Sequence, residues 1–238
     1  MVTYTSNTLT IHFGTQQTGF APKQFYSLPT QAALCNQPQF SFLKNKQFIT
    51  LAQTHSAVGY HITPEIAQQY TPYSLEGDYI ITPHSSISLG VATADCLPII
   101  LYDSIKHVLA VIHAGWRGSA AGITHKALTD LQQLYACSLA DILVFFGPAA
   151  RSCCYEIQPD FLTYFTPNPV GLITRDQKLF FDVSAYNKAV LMHAGVPAQN
   201  INQEYNRCTI CNIQFCSHRR DGAQAQRQMT IAYLTYPE

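Results

Sequence analysis

A mixed α+β fold is what this sequence of 238 residues predicts. Three observations point there. Short runs rich in Ile, Val, Leu, Phe and Tyr recur along the chain at strand length. Stretches with helical spacing of apolar residues are few. The two kinds do not alternate regularly, as a doubly wound parallel sheet would require.

In chain order, the strand candidates are residues 9–13, 47–52, 78–82, 87–93, 98–102, 107–113, 142–146, 179–183 and 229–234. Each has the β-branched and aromatic content that suits a pleated surface. Residues 119–135 put Ile123, Ala127, Leu131 and Leu134 on one face, which predicts a single amphipathic helix. Residues 184–193 predict a second, with Ser184 as N-cap, Gly195 as stop and Pro197 just beyond. A shorter helix is expected over 159–165. No repeat, low-complexity tract or long linker divides the chain, so one domain over residues 1–238 is expected.

Composition excludes several classes of function. Apolar residues make up 47% of the chain, enough for a substantial core, and the formal net charge is zero. No electrostatic footprint for nucleic acid or an anionic membrane is present. The first residues show no basic stretch followed by an apolar one, so no secretion signal is expected. The apolar runs are too short to span a bilayer. The eight cysteines are then expected to be thiols or metal ligands rather than a disulfide framework, and the expected compartment is the cytoplasm.

Residues 93–118 carry the most chemistry. The stretch opens Thr93-Ala94-Asp95-Cys96-Leu97-Pro98 and closes His113-Ala114-Gly115-Trp116-Arg117-Gly118, with two apolar strands between. If those strands are neighbours, Cys96 and His113 share one edge of a sheet. A thiolate and an imidazole together suit zinc or copper better than Mg²⁺ or Ca²⁺. Taken singly, a lone Cys is also a small core residue, and a His at a strand end is also a hydrogen-bonding group. Farther on, Cys208, Cys211, Cys216 and His218 form C-x2-C-x4-C-x-H, a candidate second zinc site or a set of reduced thiols.

The chain resembles the laccase-domain family, also called YfiH-like or multicopper polyphenol oxidase-like and described as purine nucleoside phosphorylases. The resemblance rests on ordered segments: His12-Phe13-Gly14-Thr15, Gln53-Thr54-His55-Ser56, Glu76-Gly77-Asp78-Tyr79-Ile80-Ile81-Thr82, and the two motifs above. Gly147-Pro148, Cys154-Tyr155-Glu156-Ile157, Phe181-Asp182-Val183, Cys208-Thr209 and Arg219-Arg220-Asp221-Gly222 follow. It implies an α+β sandwich of two mixed β-sheets with helices outside. It also implies a metal ion, Zn²⁺ with copper as the alternative, on His55, Cys96 and His113. Three protein ligands leave a fourth position open, as in catalytic zinc sites, which lower the pKa of a bound water toward 7. The implied reactions are phosphorolysis of purine nucleosides and deamination of adenosine, so the expected partners are a nucleoside and phosphate.

Arg117, Arg219 and Arg220 are the candidate cations for phosphate; each can equally be a structural clamp on a carboxylate. Asp95 is a candidate to orient a metal-bound His or serve as base, or else caps a turn; Asp78 is similarly placed. The chain departs from the family pattern at Gln16, where the first motif carries arginine, at Pro29 in place of asparagine, and at Gln226-Arg227 in place of Gly-Arg. These changes bear on phosphorolysis and leave the metal ligands intact. Two other chemistries use the same residues. Copper oxidation of phenols is one, but a multicopper centre needs about ten His, grouped in His-x-His pairs; this chain has nine His and no such pair. A thiol hydrolase with Cys96 as nucleophile is the other; relatives are also linked to editing of peptidoglycan precursors.

Overall fold

The computed structural model of the protein describes residues 1–21, 36–165 and 170–235. In chain order the strands are β1 (Val2–Thr5), β2 (Leu9–Phe13), β3 (Gln47–Thr50), β4 (Gly59–His61), β5 (Tyr79–Thr82), β6 (Ile87–Thr93) and β7 (Leu97–Asp103). There follow β8 (Val108–Ala114), β9 (Ile142–Phe146), β10 (Glu156–Ile157), β11 (Leu172–Arg175), β12 (Lys178–Phe181), β13 (Ile201–Asn202) and β14 (Gln228–Leu234). The α-helices are α1 (Pro64–Gln69), α2 (Trp116–Ala120), α3 (Ile123–Tyr135), α4 (Val183–Ala194) and α5 (His218–Asp221).

Two mixed sheets dominate, as expected. One has the order β1-β2-β14-β6-β3, with β3 parallel to β6. The other runs β13-β9-β7-β8-β5-β4 and is parallel at both ends, antiparallel in its centre. The strands β10, β12 and β11 form a small antiparallel sheet.

The continuous apolar run of β7 has a simple cause: both faces of the strand are covered. Ile100 and Tyr102 pack against Ile11, Phe13, Leu89 and Val91 of the first sheet. Ile99 and Leu101 point the other way, into a cluster with Ile123, Ala127 and Leu131 of α3 and Leu191 of α4. Each such side chain, fully buried, stabilises the fold by about 1.5–3 kcal/mol. The outer face of the first sheet is closed by a 3-10 segment, Pro38–Asn45, whose Phe40 and Leu43 cover Phe48, Met229 and Ile231. Helices thus lie outside the second sheet and a 3-10 segment outside the first.

Three expectations are corrected. The helix predicted over 119–135 is two helices, because Gly122 adopts φ 80 and breaks the chain between α2 and α3; left-handed backbone is what glycine permits. Leu134 is 55% exposed, since the buried stripe of α3 runs through Thr124, Ala127, Leu128 and Leu131. The N-cap of α4 is Asp182, not Ser184: its Oδ1 accepts from Ser184 N at 3.1 Å and Ala185 N at 2.9 Å. Gly195 does end α4, in the left-handed conformation at φ 113, and residues 159–164 form a 3-10 turn. Among the described residues, no helix is long and apolar enough to cross a membrane.

Candidate metal centre

Pairing of β7 with β8 sets the first two candidate ligands side by side. The register Leu97↔Ala114 and Pro98↔His113 places Cys96, just before β7, at the end of β8 that bears His113. The third, His55, comes from the connection between β3 and β4 and holds φ 61. One donor atom from each of His55, Cys96 and His113 lies within 4.8 Å of the others. The two imidazoles meet edge to face with centroids 4.9 Å apart. Gly115 packs directly beneath them, where a Cβ would stand 2.9 Å from both Cys96 Sγ and His55 Cδ2. Any side chain at that position would intrude on the centre.

Asp78 organises the group. Because β5 pairs with β8, His113 N–H donates to the Asp78 carbonyl at 2.7 Å and His113 Nδ1 to Asp78 Oδ1 at 2.8 Å. With Nδ1 so engaged, the other ring nitrogen is the one turned to Cys96. The same carboxylate accepts from His55 N at 3.0 Å, Ser56 N at 2.6 Å and Ser56 Oγ at 2.7 Å, fixing the turn that carries His55. Orientation of the candidate ligand His113, offered by the sequence first to Asp95 and second to Asp78, falls to Asp78. Asp95 sits at φ 86, and its carboxylate accepts from Thr209 Oγ1 at 2.6 Å and Arg219 N at 2.6 Å.

Electrostatics follow from these contacts. Burial would push the Cys96 thiol up, but the His113 charge and hydrogen bonds from His113 and His55 outweigh it and bring it down to about 6. Burial likewise disfavours charge on His113, yet the Cys96 thiolate and Asp78 hold it at about 9. Asp78, buried as it is, stays ionised at about 2 because His113 and Ser56 donate to it. These contacts favour a negative Cys96 sulfur, a positive His113 ring and a negative Asp78 carboxylate in a row.

The centre opens on a cavity of about 410 Å³, a size that suits small ligands. Arg117, Arg219 and Arg227 line it, with Asp95, Trp116, Tyr155 and His218. Arg117 lies over the Trp116 ring at 4.3 Å, and Arg219 over Tyr155 at 4.6 Å. Arg220 is not part of this wall. Its guanidinium binds both Asp221 oxygens at 2.8 Å and the carbonyls of Thr209 and Phe215, so it is a clamp for the 209–221 turn. Gln16 also lies off this cavity, its N–H donating to the Gln214 carbonyl at 2.8 Å. Pro29 falls outside the described residues.

The sequence spacing C-x2-C-x4-C-x-H does not gather as a unit. Cys208 and Cys211 approach Cys153 and Cys154, whereas Cys216 is buried on Gln228, whose Oε1 accepts from its N–H at 3.0 Å. His218 faces the cavity. Tyr155 is a cavity residue that sequence reasoning passed over, although its Cys-Tyr-Glu-Ile segment was marked.

Comparison with known proteins gives the family and agrees with the fold. The family model described as multi-copper polyphenol oxidoreductase laccase matches residues 31–235. The chain belongs to this family. A purine nucleoside phosphorylase of Clostridium acetobutylicum is 33% identical over 190 residues, covering 76% of this chain and 74% of the relative. An adenosine deaminase from an unknown prokaryotic organism is 36% identical over 168 residues, 67% of this chain and 63% of that protein. Among solved structures, the YfiH protein of Bacillus licheniformis superposes with a TM-score of 0.79 at 26% identity, covering 95% of this chain and 92% of that one. The family members thus include proteins named for two reactions of purine nucleosides.

Proposed function

We propose that the protein is a zinc-dependent purine nucleoside enzyme, acting both as phosphorylase and as adenosine deaminase. The observation that carries this reading is the meeting of His55, Cys96 and His113 on a cavity that also presents Arg117, Arg219 and Arg227. Two imidazoles and a thiolate, one ring aligned by a buried carboxylate, are a donor set fit for a thiophilic ion with one open position. Bound there, zinc supplies Lewis acidity and acidifies a coordinated water toward neutral pH.

The chain's own groups supply the rest. Asp78 fixes the tautomer of His113, and the Cys96 thiolate lends negative charge. Among the lining residues Asp95 is the one carboxylate. After accepting from Thr209 and Arg219 it keeps lone pairs with which to take or return a proton. Arg117 is placed to hold an anion and Tyr155 to offer a ring face to a purine. In phosphorolysis, phosphate oxygen bonds to C1′ as the bond to the base breaks, giving base and ribose 1-phosphate. In deamination, water adds at C6 of adenosine and ammonia leaves, giving inosine. The test is zinc-quantified protein given adenosine or inosine, with and without phosphate, followed by product analysis. No inosine formed from adenosine, and no adenine or hypoxanthine released in the presence of phosphate, would sink the proposal.

One observation favours a second reading. Cys96 with a depressed pKa, His113 beside it and Asp78 behind form the row used by thiol hydrolases. Cys96→Ser separates the two. For a zinc enzyme, this change removes the ion bound at these residues and lowers deamination in step, and Cys96→His or Cys96→Asp restores part of both. Full zinc occupancy in an inactive Cys96→Ser protein, with a covalent adduct trapped on wild-type Cys96, would select the thiol hydrolase.

A further inference from the structure

Behind the Tyr155 wall of the cavity, two turns bring four thiols together. Cys153 and Cys154 lie in the turn after β9, and Cys208 and Cys211 in the turn before α5. One sulfur from each lies within 4.8 Å of the other three, and the sulfurs of Cys153 and Cys211 are 4.0 Å apart. The turns are already joined through backbone: Ala149 N–H donates to the Arg207 carbonyl at 3.0 Å and Thr209 N–H to the Ala149 carbonyl at 3.0 Å.

We propose that Cys153, Cys154, Cys208 and Cys211 form a second metal site, a closed tetrahedral four-sulfur centre for a structural zinc ion. Zinc–thiolate bonds of ~2.3 Å set ligand sulfurs ~3.8 Å apart, so small rotations of Cys153 and Cys211, both exposed, bring all four into range. Four soft donors in a tetrahedron select zinc over the harder cations. The thiols release their protons on binding, and the resulting negative charge has a cation close by: Arg175 Nη2 donates to the Cys153 carbonyl at 3.1 Å. Four sulfurs gathered around one point, rather than in two separate pairs, favour a shared ion over two disulfides.

The site has a consequence for the cavity. One turn carries Tyr155 and the Glu156 carbonyl that accepts from Arg219 Nη1 at 2.6 Å. The other carries Thr209, the donor to Asp95. An ion shared between them holds one wall of the cavity as a unit, without touching substrate.

The proposal is independent of the reaction catalysed and is tested on the full chain. His55→Ala/His113→Ala empties the cavity centre, so any zinc left reports the thiol cluster. The expected result is about one zinc per chain in that variant, with an X-ray absorption shell of sulfur alone. Adding Cys153→Ser and Cys208→Ser is expected to abolish it. If the added changes prevent folding, the coordination shell of the folded two-histidine variant decides. A variant without zinc after reconstitution under reducing conditions, a shell containing nitrogen, or recovery of the four cysteines as disulfides from reduced protein would each overturn the proposal.

Discussion

Asp78 is fully buried, and an isolated carboxylate there would be costly. It is held ionised by donors from two directions, the His55–Ser56 turn and His113. This lets a single residue fix two ligands that lie far apart in sequence. Asp78→Asn keeps the shape but removes the charge that favours an Nδ1–H tautomer at His113. Loss of such a partner typically costs 10–100-fold in metal affinity, and a drop of about that size is expected when zinc is titrated against a chromophoric chelator. Unchanged affinity would mean that the histidine is oriented without Asp78. Of the candidate ligands, Cys96 and His113 could be paired from the strands that flank them, whereas His55 came only with the family resemblance. Asp78 ranked only second for its role, because nothing local says that β5 lies beside β8. Asp95 looked better for being next to Cys96, yet that neighbour's carboxylate turns to Thr209 and Arg219.

Elements were readable where packing is two-sided. The runs at β6, β7, β8 and β9 are mostly apolar and almost wholly buried, because each is covered on both faces, and they were found almost to the residue. Strands β4, β10 and β13 have two or three residues and partly exposed positions, too few for a period to show. His12 illustrates how an element can hide a titration. It lies in β2, stacks on Phe42 of the 3-10 segment with centroids 4.1 Å apart, and bonds Thr3 Oγ1 at 3.0 Å. Burial, reinforced by the Met1 ammonium, lowers its pKa from 6.5 to about 4. The unfolded chain therefore binds a proton that the folded one refuses between those values. The contribution of His12 to stability is full above pH 6.5 and falls as pH drops toward 4, by an amount on the order of 3 kcal/mol. Denaturant unfolding should show a shallower loss of stability over this window in His12→Gln than in the wild type. Parallel curves would show that the ring is protonated in the folded protein.

At the scale of the molecule, the chain leaves one sheet at β6 and enters the other at β7, and Cys96 lies at that crossing. The candidate metal centre thus sits on the seam between the two sheets, where strand ends rather than strand middles are available to hold ligands. This arrangement favours the two proposed reactions unequally. Deamination needs the centre and a proton carrier, both of which are on the seam. Phosphorolysis also needs cations free to hold phosphate, and here much of that charge is engaged. Arg219 donates to the Glu156 carbonyl, Arg227 to the carbonyls of Ala225 and Gln226, and Arg220 to Asp221 and its own turn. Gln16, at the position of the motif arginine, adds no charge. Arg117, stacked on Trp116 and exposed to the cavity, is left as the main anchor. Adenosine deamination is therefore expected to exceed phosphorolysis of inosine on the same zinc-loaded protein, measured as inosine and hypoxanthine formed per unit time at saturating phosphate. Arg117→Ala should widen the gap by lowering phosphorolysis at least tenfold, the loss of about 1.4 kcal/mol of transition-state binding, while deamination changes little. Phosphorolysis equal to or faster than deamination in the wild type would place the phosphate site on other cations than these.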